Sequence, residues 1–274
     1  MPEVTSPDLT FPLQLDRVRD CVLAQADKLR LVAESFAAAI AAGGVVHVYA
    51  NGHSRMALEE MCVRMGALTG FHPLLSTHLS TFTDVVGPSG LRVAQAIEKV
   101  EGLGDALLDE VAIGHEEPLV VVSATGQTQA AVDIALAFSH RYPENPLVVI
   151  ASLTQASQAA PKHSSGKTLY HVAREAKHGF FLDNGMPKGD VTTTVAGQTG
   201  TYQICPLSSI GALTIVQSLN ELTLRALDRR GVRHHVLANM HLGQTQDNYD
   251  SWLTDQRRRY ARALSPQENR ESPR

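Results

Sequence analysis

Short apolar runs alternate with amphipathic stretches along most of this chain. Val45-Val46-His47-Val48-Tyr49-Ala50, Leu119-Val120-Val121-Val122 and Leu147-Val148-Val149-Ile150 are near-continuous apolar runs rich in β-branched residues. Such runs read as strands buried on both faces, separated by helices that cover a parallel sheet. Ahead of them, Leu15, Val18, Val22, Ala26, Leu29, Ala33, Phe36 and Ile40 recur at steps of three and four. This helical stripe stops at Gly43-Gly44. It predicts helix over 13–42, either continuous or bent into two. That length exceeds what one small α/β domain covers, so part of the stripe is expected to pack on another subunit.

The same reading predicts a strand at 45–50, a helix at 54–67 burying Leu58, Met61, Cys62 and Met65, and a short strand near 71–75. Residues 76–92, rich in Ser, Thr, Gly and Pro, read as a loop. Helix follows over 94–113, interrupted at Gly102 and Gly104, then a strand at 119–123, a helix at 127–140, a strand at 147–151 and a short helix near 154–160. Residues 178–182 and 191–195 read as strands, and 208–230 as a long apolar helix. From about Arg257 the chain is polar and aperiodic, and disorder is expected from about residue 265.

Two strand ends carry candidate chemistry. The first strand runs into Asn51-Gly52-His53-Ser54, and the second into Ser123-Ala124-Thr125-Gly126-Gln127-Thr128. Glycine permits a sharp turn and close approach to the backbone. Ser and Thr supply short hydroxyls, and the helix that opens supplies free amides and a positive dipole end. Two such loops at matching strand ends suit one anion. The plainer reading of Thr125 or Thr128 is an N-cap. Neither loop is GxGxxG or GxxxxGK[ST], so a single phosphate fits better than a nucleotide pyrophosphate.

The net charge of -4 attracts no nucleic acid. Three dispersed cysteines, Cys21, Cys62 and Cys205, argue for reduced thiols. With no signal peptide and no apolar stretch long enough to span a bilayer, a cytoplasmic protein is expected. The 12 histidines show no HxxxH or HExxH spacing. His53 with Glu59 or Glu60 is the pairing nearest to a metal site; no metal and no cofactor is expected. His234-His235 beside Arg229, Arg230 and Arg233 reads as a solvated basic patch or an interface.

The order of these segments resembles the sugar isomerase (SIS) domain: a strand, Gly52-His53-Ser54 and a helix with Glu59-Glu60, then a strand, Ser123-x-Thr125-Gly126-x-Thr128 and a helix. The likeness spans roughly 13–250 and is nearest to a poorly characterised branch of single-domain SIS proteins, through His163–Lys167, Asp183–Asp190 and Pro206–Ser209. Together with the polar, aperiodic C-terminus, it divides the chain into an N-terminal arm over 1–12, one SIS domain over 13–255 and a polar, disordered tail over 256–274. It also implies a flavodoxin-like, five-stranded parallel sheet sandwiched by helices, and assembly as a homodimer or tetramer. The implied ligand is a phosphorylated sugar, its phosphate on Ser123, Thr125, Gly126, Gln127 and Thr128, with Asn51, Gly52 and Ser54 opposite.

Members that turn over an aldose or ketose phosphate move a proton with Glu or His; one relative is a lyase that cleaves an ether, and others only sense the sugar. The region before residue 45 leaves no room for a helix-turn-helix domain, which disfavours a regulator. The expected function is thus a phosphosugar isomerase, on an amino or N-acetylated sugar among others. The alternatives are a binding-only protein and a phosphosugar lyase or etherase.

Glu60 and Glu59 are candidate bases near a helix start, although Glu60 also reads as an i,i+4 pair with Arg64. His53 sits inside the first loop, where a histidine suits proton relay. Glu221, in an apolar helix, and His241, after it, are outside candidates. His163 and Lys167, in His163-Ser164-Ser165-Gly166-Lys167, are candidate phosphosugar contacts.

Overall fold

β1 (Val46–Ala50), β2 (Phe71–Leu74), β3 (Leu119–Val122), β4 (Leu147–Ala151) and β5 (Gly179–Asp183) form one parallel sheet in the order β2-β1-β3-β4-β5. This is the flavodoxin-like order expected from the chain. The computed structural model describes residues 9–62, 64–75 and 91–264. Helices α1 (Gln14–Ala24), α2 (Ala26–Ala41), α3 (Arg55–Cys62), α4 (Leu91–Ile97), α5 (Leu103–Asp109), α6 (Gln129–Arg141), α7 (Leu153–Gln158), α8 (Leu169–Glu175), α9 (Ser208–Arg229) and α10 (Gln246–Ala263) surround it. A separate antiparallel hairpin pairs β6 (Val191–Gly197) with β7 (Gly200–Pro206).

Side chains alternate across each strand, so the apolar runs feed two cores. Val46, Val48, Val120, Val122, Val148 and Ile150 pack with residues of α1, α2, α3 and α9. Tyr49, Leu119, Val121, Leu147 and Val149 pack with residues of α5, α6 and α8. No helix of the described residues is long and apolar enough to cross a membrane.

The N-terminal helix is bent, not continuous. It breaks at Gln25, whose side chain bonds both the N–H and the carbonyl of Asp183 on β5, at 3.0 and 2.7 Å. The stripe Val18, Val22, Leu29, Ala33, Phe36 and Ile40 is absorbed into the chain's own core. Most of it is therefore not surplus surface free to meet another subunit; of the stripe Leu15 stays exposed, and Leu23 and Leu31 are exposed beside it.

Each edge of the main sheet is sealed by a glutamine. Gln25 and Lys28 cover β5, the lysine Nζ donating to the Phe181 carbonyl at 2.9 Å. On β2, Gln256 accepts from the Gly70 N–H at 3.0 Å and donates to the Phe71 carbonyl at 2.9 Å. Tyr260 donates to the same carbonyl at 2.8 Å. This corrects the expected tail over 256–274: α10 runs to Ala263 and buries Trp252, Gln256 and Ala263. Its grip is mostly side chain to backbone, which an apolar count does not register. Residues 265–274 and 76–90 lie outside the described residues, and the stretch read as a loop ends where α4 opens at Leu91.

A polar network fills the N-terminal end of the sheet. Glu117 is 2% exposed and accepts from the Val45 N–H at 2.9 Å, the Gly114 N–H at 2.6 Å and the Arg262 guanidinium. His47 lies 3.4 Å from it and 3.1 Å from His72, which in turn stacks edge-on against Tyr260. Burial alone would raise the Glu117 pKa, but the bonds from His47 and the two amides outweigh it and hold the carboxyl at about 2. Burial, reinforced by His47, pushes His72 down to about 4.

Candidate functional site

At the opposite, C-terminal ends of the strands, the chain turns from β1 outward to β2 and from β3 toward β4, leaving a crevice between neighbouring β1 and β3. Ligands of open α/β sheets bind at such a switch point. The crevice is a cleft of about 540 Å³ lined by Asn51, Gly52, His53 and Ser54 from one loop and Ser123, Ala124 and Thr128 from the other. Met56, Gln95, Glu98, Asp190, Pro206, Ser208 and Ser209 complete it.

The first loop is a single 3-10 turn, Gly52–Ser54, entered through Gly52 at φ 57°. The second is framed internally. Ser123 Oγ accepts from the Gly126 N–H at 3.1 Å, Thr125 Oγ1 accepts from the Gln127 N–H at 3.4 Å, and the Gly126 carbonyl accepts from the Leu169 N–H. Gly126 has φ 72°, and a Cβ there would meet the Ala156 Cβ at 2.7 Å, so this turn accepts glycine alone. Thr128 is the N-cap residue of α6, yet its side chain makes no cap hydrogen bond. The hydroxyl at the cleft wall is therefore not spent on the helix.

Three helix N-termini border the cleft, and they differ. At α9, the Asp190 carboxylate accepts from the Leu207 N–H at 2.9 Å, the Ser208 N–H at 2.8 Å and the Ser208 hydroxyl at 2.5 Å. That end already holds an anion. The starts of α3 and α6, beside Ser54 and Thr128, hold no side-chain carboxylate in these bonds. An incoming anion meets the stronger positive end there.

Glu98 is the carboxylate that sequence reasoning missed. It lines the cleft, and Asn51 Nδ2 donates to its Oε2 at 3.0 Å. Burial raises its pKa above the ordinary value, against the pull of Lys162, Lys99 and the Asn51 bond. A carboxyl poised upward in a cleft is a candidate proton-transfer group. Its one local signal was a Glu beside apolar Ala94 and Ile97 in a helical stretch.

Of the expected site residues, Asn51, Gly52, His53, Ser54, Ser123 and Thr128 meet in the cleft. Thr125, Gly126 and Gln127 frame the loop without lining it. Glu59 and Glu60 do not line it: α3 buries Ala57, Leu58, Met61 and Cys62 and turns both carboxylates away. Glu60 is bonded by Arg64 and Gln217, each at 2.5 Å, and Glu59 pairs with Arg55 at 3.8 Å. Glu221 is exposed and paired with Arg225, and His241 lies in an exposed turn. Lys167 pairs with Glu175 at 2.5 Å, away from the cleft. His163 is buried and does not line the cleft; it lies 3.4 Å from Asp133 and 3.7 Å from Glu101, and its loop is tied to Glu101 by Ser164. Among the described residues no group of three His, Cys, Asp or Glu could hold a metal ion.

This strand–loop–helix pair at a switch point falls in a segment with a known pattern: the SIS domain family matches residues 14–142. The cleft is finished by Asp190, Pro206, Ser208 and Ser209 from beyond the matched segment. A UPF0309 protein of Oceanobacillus iheyensis is 27% identical over 184 residues, covering 67% of this chain and 69% of that protein. A UPF0309 protein of Geobacillus thermodenitrificans is 22% identical over 238 residues, covering 87% and 90%. Among solved structures, a phosphoheptose isomerase from Francisella tularensis aligns with TM-score 0.44 at 13% identity, covering 78% of this chain and 93% of that one.

Proposed function

We propose that this protein binds a phosphorylated sugar in the β1/β3 cleft and interconverts its aldose and ketose forms, amino and N-acetylated sugars included in the substrate class. One observation carries the reading. Ser54, Ser123 and Thr128 line the same cleft as a half-buried carboxylate, Glu98, with a raised pKa. The hydroxyls and the helix starts at Ser54 and Thr128 suit a phosphate. An anchored phosphate fixes which sugar carbon faces Glu98. Ionised Glu98 takes the carbon-bound proton and returns it to the neighbouring carbon, while the hydroxyl proton passes to the former carbonyl oxygen, a transfer that His53 relays between the two sugar oxygens.

The test is a thermal-shift panel of sugar phosphates against their dephosphorylated forms, followed by NMR of the best binder in D2O. Stabilisation only by phosphorylated sugars, with deuterium uptake at the carbon beside the carbonyl, supports the reading. Binding without uptake leaves a binding-only protein, and release of an ether fragment indicates a lyase. Ser54→Ala combined with Thr128→Val is expected to weaken sugar phosphate binding by about 10-fold or more, since bonds to a charged group contribute about 1.5–3 kcal/mol each. The dephosphorylated sugar should be affected little, as isothermal titration would report.

A further inference from the structure

Glu98 reaches the cleft on a weakly packed element. Helices are ordinarily held by an apolar face pressed into a core. Of residues 92–97 in α4, Ala94 alone is buried. Val93 and Val100, on either side of it, stand 40% and 50% exposed. Apolar burial therefore does little to fix the carboxylate, and polar bonds from α6 do it instead.

The segment 98–104 lies along the start of α6. The Glu98 carbonyl accepts from the Ala130 N–H at 2.9 Å. Asp133, further along the helix, accepts with one oxygen, Oδ2, from the Gly102 N–H at 3.0 Å and the Gly104 N–H at 2.6 Å. Gly102 opens α5 at φ 95° and has no side chain to cap that helix, so the cap comes from α6. Gly104 lies against the α6 backbone, where a Cβ would meet the Ile134 Cα at 2.5 Å. The other Asp133 oxygen, Oδ1, faces His163 Nε2 at 3.4 Å. His163 Nδ1 accepts from the Ser165 N–H at 3.1 Å, which leaves the ring proton on Nε2, directed at Asp133.

Helix α6 also carries Thr128 at its start, with a hydroxyl free at the cleft wall. Asp133 follows five residues later in the sequence, about 7.5 Å along a helix axis. One rigid element thus bears both the hydroxyl suited to a phosphate and the carboxylate that grips the segment carrying Glu98. We propose that Asp133 is the positioning residue of the site: through the Gly102 and Gly104 amides it sets where the Glu98 carboxylate stands relative to the phosphate anchor. This rests on the reading of Glu98 as the base. Asp133 does not line the cleft; it acts on the sugar only through Glu98.

The test pairs two readouts in the full-length protein. One is a carbon-13 NMR titration of the Glu98 carboxyl, its signal assigned by its loss in Glu98→Gln. The other is deuterium uptake at saturating sugar phosphate. In Asp133→Ala the Glu98 midpoint should fall toward that of an ordinary glutamate as the segment loosens into water. Uptake should drop at least about 10-fold, since a misplacement of about 1 Å costs up to roughly 10²-fold, with sugar phosphate affinity within a few-fold. Asp133→Asn loses the same charge but keeps an oxygen for the two amides, and should hold both readouts near those of the unaltered protein. Lys99 and Lys162, whose charges act on Glu98, are unchanged in both variants. Circular dichroism establishes folding, and Asp133→Ser, too short to reach both amides, replaces an alanine variant that does not fold.

A residue that only capped α5 would change stability and leave the Glu98 titration where it was. A folded Asp133→Ala protein with unchanged midpoint and uptake therefore overturns the proposal. An asparagine variant that falls as far as alanine does so too, because charge and not the tether would then be at work. If the unaltered protein exchanges deuterium into no sugar phosphate, the isomerase reading fails, and the titration alone decides whether Asp133 positions Glu98.

Discussion

Glu98→Gln is expected to lower solvent-deuterium uptake into a bound sugar phosphate by at least about 100-fold while leaving its affinity within a few-fold. A positioned general base contributes about 10²–10⁴-fold. Glutamine keeps the size and the oxygen that accepts from Asn51 Nδ2, so the cleft wall should stand and only the base is lost. The raised pKa of Glu98 adds a second readout. The base form needs the proton off, so in the unaltered protein uptake should rise with pH through a midpoint above that of an ordinary glutamate. Full uptake in the variant would remove Glu98 from the chemistry. Glu60→Gln, by contrast, should change uptake little, because Arg64 and Gln217 already hold that carboxylate outside the cleft.

Glu117→Gln should cost the fold about 3–5 kcal/mol at neutral pH, the usual result of removing one partner from a buried ionic network. The carboxylate takes two backbone N–H groups and Arg262, and a carboxamide turns an NH₂ toward some of these donors. Against a typical total of roughly 5–15 kcal/mol, urea unfolding should show a large drop in midpoint.

Acid should reproduce part of this loss in the unaltered protein, in two stages. His72 is held at about 4 against an ordinary 6.5. Its folded pKa is depressed, so the unfolded chain takes the proton first, and stability falls as pH drops from about 6.5 toward 4. Glu117 is held at about 2 against 4.5. Its contribution is present above about pH 4.5 and lost as pH falls toward 2. In the Glu117→Gln protein the second stage should vanish and the first remain. An unchanged acid slope below pH 4.5 would show that Glu117 does not carry it.

The sheet was legible because its strands are apolar on both faces. Val120 and Val121 feed opposite cores, so β3 reads as an unbroken run, and the turn that ends it is marked by Gly126. The hydroxyl-bearing loops were legible for the same reason: strand ends in a parallel sheet point to one edge, and Ser54 and Thr128 follow their strands closely. Glu98 was not legible. Its place depends on Asn51, 47 residues away, and on how α4 meets the switch point, neither of which leaves a local pattern. Glu59 and Glu60 misled because a carboxylate near a helix start suggests chemistry, while the apolar positions of α3 decide which way it points. Helix α10 was hidden by its means of attachment. Gln256, Arg259, Tyr260 and Arg262 bond to backbone or to Glu117, so a polar stretch docks without an apolar stripe.

The Gln256 carboxamide completes β2 from 186 residues further along the chain. During synthesis from the N-terminus, β2 is made early and its outer edge stays open until residue 256 has been added. The order of manufacture thus leaves an unpaired strand as the last part of the sheet to be closed. A nascent chain stalled ahead of α10 carries a formed pair of apolar cores and an exposed sticky edge, and it is this species, more than the finished protein, that a chaperone would need to shield.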